Sequence, residues 1–155
     1  MPIPDFPCMF YRMKISHKTV YAIHLLVALA EQARISRSPL QLREIAESRN
    51  LPFKFLEQIA ITLKGAGWIR GQRGKEGGYS LAVQPSQLKL SDILLRLEGA
   101  APLLETDEDS GVQEVLGGIL KRCQASVDAI LGGISLSDLA LEIRDSRLPG
   151  SDYVI

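Results

Sequence analysis

Apolar positions recur at helical spacing three times in the first half of the chain. Behind Ser16, Val20, Ile23, Leu26 or Val27 and Ala30 follow a three-to-four repeat. A serine hydroxyl can accept from the free amides of a helix start, so this pattern predicts a helix over residues 16–33. After a polar connector, residues 34–39, a second helix is predicted over 40–49 with Leu42, Ile45 and Ala46 inward. Asn50, Leu51 and Pro52 make a turn, and proline suits the first turn of the helix that follows. That third helix, residues 53–66, buries Leu56, Ile59 or Ala60, and Leu63, and Gly67 stops it. The period then changes. Two short strand-like runs, 68–72 and 79–83, flank a tip containing Gly74, Gly77 and Gly78. Beyond them a connector (85–90) leads to a helix capped by Ser91 and ending near Gly99, and an acidic loop occupies 100–110. Ser110 and Gln113 have capping-box spacing for a long helix to about Leu131, ended by Gly132 and Gly133. A short helix over 135–141 and a tail from 145 complete the chain.

Helix, helix, turn, helix and then a two-stranded hairpin is the layout of a winged helix-turn-helix: mainly α with a small β-hairpin wing (α+β), followed by a long helix. At 155 residues the chain has the size of one domain with an appendage, and with 9 aromatic residues its core is aliphatic. No apolar run reaches the roughly 18–20 residues of a membrane span. Residues 1–12 lack the pattern of a secretory signal. Cys8 and Cys123 cannot make a disulfide framework or a four-ligand zinc site, so a cytoplasmic setting is expected. No Ser/His/Asp, Cys/His or metal-ligand set stands out, which argues against an enzyme. Charge is more informative. Formal net charge is zero, yet residues 12–89 hold 13 Lys/Arg against 5 Asp/Glu and residues 90–155 hold 5 against 12. A basic half joined to an acidic half points to a polyanion-binding module attached to something else.

The third helix carries Phe53, Lys54, Glu57, Gln58 and Thr62 off its apolar stripe, mostly near its N-terminal end. Recognition helices meet base edges with such residues. Lysine can donate to guanine, glutamine can bond adenine, and glutamate can accept from cytosine N4. At the hairpin tip, Arg73 and Lys75 sit among glycines that let the backbone approach a partner, as a wing in a minor groove requires. The tip lacks the Lys-Ser/Thr ending of a phosphate-binding P-loop and leads into a strand instead of a helix.

Spaced motifs make this arrangement specific. Met13-Lys14-Ile15-Ser16, Lys18, Tyr21-Ala22, Leu42-Arg43-Glu44-Ile45-Ala46, Phe55-Leu56-Glu57-Gln58-Ile59 and Ala66-Gly67 occur in one order. Arg73-Gly74-x-x-Gly77-Gly78-Tyr79-x-Leu81, Leu90-x-Asp92-Ile93 and Glu98-Gly99 follow. Over about residues 13–141 the chain resembles the IscR/NsrR/CymR-type (Rrf-two) transcription regulators. The resemblance implies a homodimer that binds a partly palindromic operator on double-stranded DNA and usually represses. It implies that Lys54, Glu57 and Gln58 approach bases, that Arg73 enters the minor groove, and that Lys18 and Tyr21 lie near the DNA backbone. Met13 aligns with the usual family start, so residues 1–12 are read as an extension or a misplaced start. The expected division is a DNA-binding domain over 13–90, a linker helix, acidic loop and dimerisation helix over 91–143, and a tail over 144–155.

Many members of that family bind an iron–sulfur cluster through three cysteines in the segment matching residues 99–112, where this chain has none. No cofactor is therefore expected. Glu105, Asp107, Glu108 and Asp109 stand in that segment and read as a solvated acidic loop. On the long helix Val112, Val115, Leu116, Ile119, Leu120, Cys123, Val127 and Ile130 form an apolar stripe about 30 Å long. Such a stripe packs on its own domain or pairs with a copy of itself, and the resemblance favours pairing. Gly117 and Gly118 within it cost about 1 kcal/mol each relative to alanine and fit either a close crossing or a kink. Cys123 reads as a small apolar residue, and His17 and His24 as surface or core residues instead of ligands. The expected function is a homodimeric, sequence-specific transcription regulator. The alternative is a winged-helix module that binds a partner protein.

Overall fold

The computed structural model describes residues 15–100 and 111–146. The extension with Cys8, the acidic residues 105–109, the capping residue Ser110 and the tail beyond 146 lie outside the described residues.

Helix α1 (His17–Ile35) runs through the middle of the fold. Ser16 caps it, its hydroxyl accepting from the Thr19 amide at 3.3 Å. The helix is apolar nearly all round from Leu25 to Ala30, and every residue of that stretch is buried. It therefore packs on several elements at once: α2, α3, β2, α4 and α6. Of the expected inward stripe, Leu26, Val27 and Ala30 are buried and Ile23 is half-buried. Val20 is 40% exposed, whereas Ala22, Leu25 and Leu29 are fully or almost fully buried. A helix surrounded by neighbours has no single apolar face for periodicity to find.

Helices α2 (Leu42–Arg49) and α3 (Phe53–Gly65) pack through the predicted residues, with Leu42, Ile45, Ala46, Leu56, Ile59, Ala60 and Leu63 buried. Asn50 in the left-handed region (φ 52°) closes α2, and the Leu51 amide donates to the Ala46 carbonyl at 2.8 Å, giving the tight corner. An ion pair between Arg49 Nη2 and Glu31 Oε2, 2.6 Å long and largely buried on the arginine side, fastens the end of α2 to α1. Gly67, at φ 76°, turns the chain out of α3 into the hairpin.

Strands β1 (Ile69–Gln72) and β2 (Gly78–Leu81) are antiparallel, with Ile69 opposite Leu81 and Gln72 opposite Gly78. Leu40, expected in the second helix, is not helical: it pairs with Tyr79 on the free edge of β2, its amide donating to the Tyr79 carbonyl at 2.9 Å and its carbonyl accepting the Tyr79 amide at 2.8 Å. Gly78 makes this possible: a Cβ there would collide with the Leu40 carbonyl, and its φ of 152° disfavours other residues.

Helix α4 (Leu90–Glu98) starts one residue before the predicted cap, with Lys89 as N-cap. The reason is backbone pairing: the Leu90 amide donates to the Ile134 carbonyl and the Leu136 amide to the Leu88 carbonyl, so the chain is already held when it reaches Ser91. Helix α5 (Gly111–Gly133) is continuous through Gly117 and Gly118 and packs on α4. Helix α6 (Leu136–Ser146) is longer than expected and returns to α1, burying Leu136 and Ala140 in the core. Ser135 and Asp138 cap each other at its start: the Ser135 amide and hydroxyl donate to the Asp138 carboxylate at 2.8 and 2.6 Å.

Candidate nucleic-acid interface

Because Leu56, Ile59, Ala60 and Leu63 face inward, α3 turns Lys54, Glu57 and Gln58 into solvent, and all three are exposed. Phe53 is half-buried at the start of the helix, with the Arg43 guanidinium of α2 stacked 5.2 Å from its ring centre. That cation–π contact holds Phe53 and places an exposed arginine beside the turn. On α1, Lys18 is exposed and Tyr21 half-buried. The Tyr21 ring meets His17 edge-on at 6.1 Å and Phe55 of α3 at 6.4 Å. Tyr21 thus ties the start of α1 to the exposed side of the third helix.

At the wing, the Gly77 amide donates to the Gly74 carbonyl at 3.0 Å and closes the tip, on which Arg73 and Lys75 are both exposed. The root of the wing is firm. Tyr79 packs against Gly71 across the hairpin, Arg70 Nε donates to Ser80 Oγ at 3.1 Å, and Leu40 pairs on the far edge. Two basic side chains therefore project from a small braced sheet beside a helix whose outer side carries Lys54, Glu57 and Gln58. This is the arrangement by which a helix reads a major groove while the wing follows the backbone or the minor groove.

Three exposed side chains of this region lie outside the expected set of DNA-contacting residues: Arg43, Phe55 and Ile61. Ile61 is 70% and Phe55 56% exposed. The signal was present in the helical spacing, since Ile61 follows Lys54 and Gln58 at seven and three residues, on the face opposite the buried stripe. An aliphatic residue on such a face can meet a thymine methyl.

The eight expected dimerisation positions divide. Val112, Val115, Leu116, Ile119 and Ile130 lie open, between 47% and 70% exposed, while Leu120, Cys123 and Val127 are half-buried. No residue of α5 is buried within the chain.

Fold and surface together define a winged helix-turn-helix DNA-binding protein. Comparison with known proteins makes the assignment specific. The sequence profile of the Rrf2 family, described as an iron-dependent transcriptional regulator, matches residues 15–142. CymR of Bacillus subtilis, an HTH-type transcriptional regulator, is 33% identical over 128 residues, covering 83% of this chain and 90% of that one. Its solved structure superimposes with a TM-score of 0.70 at 32% identity, over 84% of this chain and 98% of that one. IscR of T. potens gives a TM-score of 0.69 at 29% identity, over 88% and 93%. The chain belongs to the Rrf2 family, whose members are transcriptional regulators and not enzymes. No helix among the described residues is long and apolar enough to cross a membrane.

The iron in the family description raises the question of donors. A three-cysteine cluster site does not fit this chain: its only cysteines are Cys8 and Cys123, and none falls between Gly99 and Val112. Carboxylates occupy that segment, and these hard donors are poorly matched to iron–sulfur chemistry.

Proposed function

We propose that this DNA-binding regulator acts in the cytoplasm as a homodimeric repressor on a partly palindromic operator, without a three-cysteine iron–sulfur cluster. Lys54, Glu57 and Gln58 read base edges in the major groove, with Phe53 beside them at the mouth of the helix. Arg73 enters the minor groove, and Lys18, Tyr21 and Lys75 meet the backbone. The observation that carries the dimer is α5: a 23-residue helix with no buried side chain in the single chain and five open aliphatic residues. A solvated helix of this length with an apolar face is stabilised by covering that face. Gly117 and Gly118 support the same reading, because among the described residues nothing beyond the helix's own adjacent backbone lies within 4 Å of a Cβ built at either. A second helix can approach closely there.

The test is selection from randomised duplex DNA with anaerobically purified protein, with sedimentation of the bound species and a visible spectrum. An enriched inverted repeat bound by two chains, with Arg73→Ala weakening binding and relaxing selectivity at the positions flanking the repeat, is the expected result. A brown chromophore would overturn the cofactor reading. A colourless protein with no enriched sequence that captures a stoichiometric protein partner would replace operator recognition by a protein-interaction role.

A further inference from the structure

Two motifs, 82 residues apart, meet in the structure. Glu98, the last residue of α4, reaches the start of α1, where Oε1 accepts the Ser16 amide at 2.7 Å and the Ser16 hydroxyl at 2.8 Å. Ser16 caps α1, so one carboxylate holds both hydrogen-bond donors of the residue that sets where the helix begins. A hydrogen bond from Thr19, the two from Ser16 and the nearby charge of Lys18 keep the Glu98 carboxyl below the usual carboxylate range. Lys18 is two residues beyond Ser16, and Tyr21 leads on to Phe55 of the recognition helix. On the other side, α4 is the helix against which α5 packs. Glu98 stands where the α5-bearing part of the chain touches the DNA-facing start of α1.

We propose that Glu98 is a positioning residue for DNA binding: its bonds to Ser16 fix the start of α1, with Lys18 and Tyr21, in the orientation that meets the operator. This rests on the reading that Lys18 and Tyr21 face the DNA backbone.

Charge and position predict opposite signs for Glu98. A carboxylate at a surface that meets a polyanion repels it, so charge alone predicts that its removal tightens binding. Positioning predicts that removal weakens binding, because Lys18 and Tyr21 lose their fixed direction. Stability separates this role from a general one, since a single exposed carboxylate contact contributes little to folding.

The experiment measures affinity of the full chain for the duplex enriched by selection, across a salt series, with thermal unfolding of each variant alongside. Glu98→Ala is expected to weaken binding about tenfold, the worth of one well-made contact, with melting little changed. Glu98→Gln keeps an acceptor and should recover most of the loss. Ser16→Ala combined with Glu98→Ala should cost no more than the worse single variant, as for two halves of one contact. Tighter or unchanged binding by Glu98→Ala, additive losses, or loss only alongside a matching fall in melting temperature would each overturn the proposal. Lys18→Ala is the control for the underlying reading. If it weakens binding and shallows the salt dependence while Glu98→Ala does not weaken binding, the positioning role fails and the orientation of α1 stands. If Lys18→Ala has no effect, both fall.

Discussion

At the scale of single residues, the wing depends on a glycine. Gly78 lies against the Leu40 carbonyl with φ 152°, so alanine there meets both a steric and a conformational barrier. Relief requires Leu40 to leave the β2 edge, breaking two backbone hydrogen bonds. Gly78→Ala should therefore lower stability by about 1–3 kcal/mol, as expected for a residue forced into a sparsely populated region, read from urea unfolding. Gly67→Ala meets no neighbouring atom and should lose only the smaller conformational part. Acid behaviour is also set by individual residues. Hydrogen bonds lower the carboxyl of Glu98, from Thr19 first, and that of Asp138, from the Ser135 hydroxyl first. A carboxyl depressed in the folded chain stabilises it above the ordinary carboxylate pKa, and the contribution is lost as pH falls through the folded value. Thermal unfolding between neutral pH and about pH 3 should show a melting temperature that declines below about pH 4.5. The Asp138→Asn variant should decline less steeply over that range; an equal decline would show that other carboxyls dominate.

At the scale of elements, α5 and α1 show opposite limits of the amphipathic pattern. Five apolar side chains of α5, Val112, Val115, Leu116, Ile119 and Ile130, are open in the chain, so a charge placed among them should cost little in the fold and much in assembly. Ile119→Asp, at a position 48% exposed, should convert the proposed dimer to a folded monomer in sedimentation and weaken operator binding. An undiminished dimer would place the interface elsewhere. Helix α1 is covered on most sides, and for that reason its packing was the least legible part of the sequence: Val20 reads as core by spacing but is exposed. The inward stripes of α2 and α3 and the turn between them were legible, because each helix has one buried face and the turn and exit are marked by Asn50, Pro52 and Gly67, whereas the start of α2 was set two residues too early. The Leu40 pairing was hidden, since one residue paired with a distant strand leaves no period. The same holds for the contact between Ser16 and Glu98. Both residues were visible as parts of motifs, but only the fold brings them together. The polar face of α3 was legible through what the apolar stripe leaves over, whereas Ile61, equally outward, was passed over because aliphatic residues are usually assigned to the core.

At the scale of the molecule, charge and assembly combine into one measurable slope. Neutralising phosphates releases counterions, and the logarithm of affinity falls with the logarithm of salt by about 0.9 for each phosphate neutralised. Lys18, Lys54, Arg73 and Lys75 are the exposed cations that the proposed docking brings to DNA. Two copies of this set put a ceiling of about 7 on the magnitude of the slope, and one copy a ceiling of about 3.6. The acidic half, with 12 Asp/Glu against 5 Lys/Arg, carries a net negative charge that opposes a polyanion. The chain's zero net charge therefore gives no measure of its affinity for DNA. Fluorescence anisotropy between about 50 and 200 mM salt should give a slope steeper than the one-copy ceiling. Lys75→Ala should shallow it by about 2, because a dimer loses the residue twice. Lys121→Ala on α5 should leave it unchanged. If Lys75→Ala shallows the slope by only about 1, one wing of the pair engages DNA and the site is not symmetric. If Lys121→Ala shallows it as much as Lys75→Ala, α5 faces the duplex, and assigning that helix to the dimer interface is wrong.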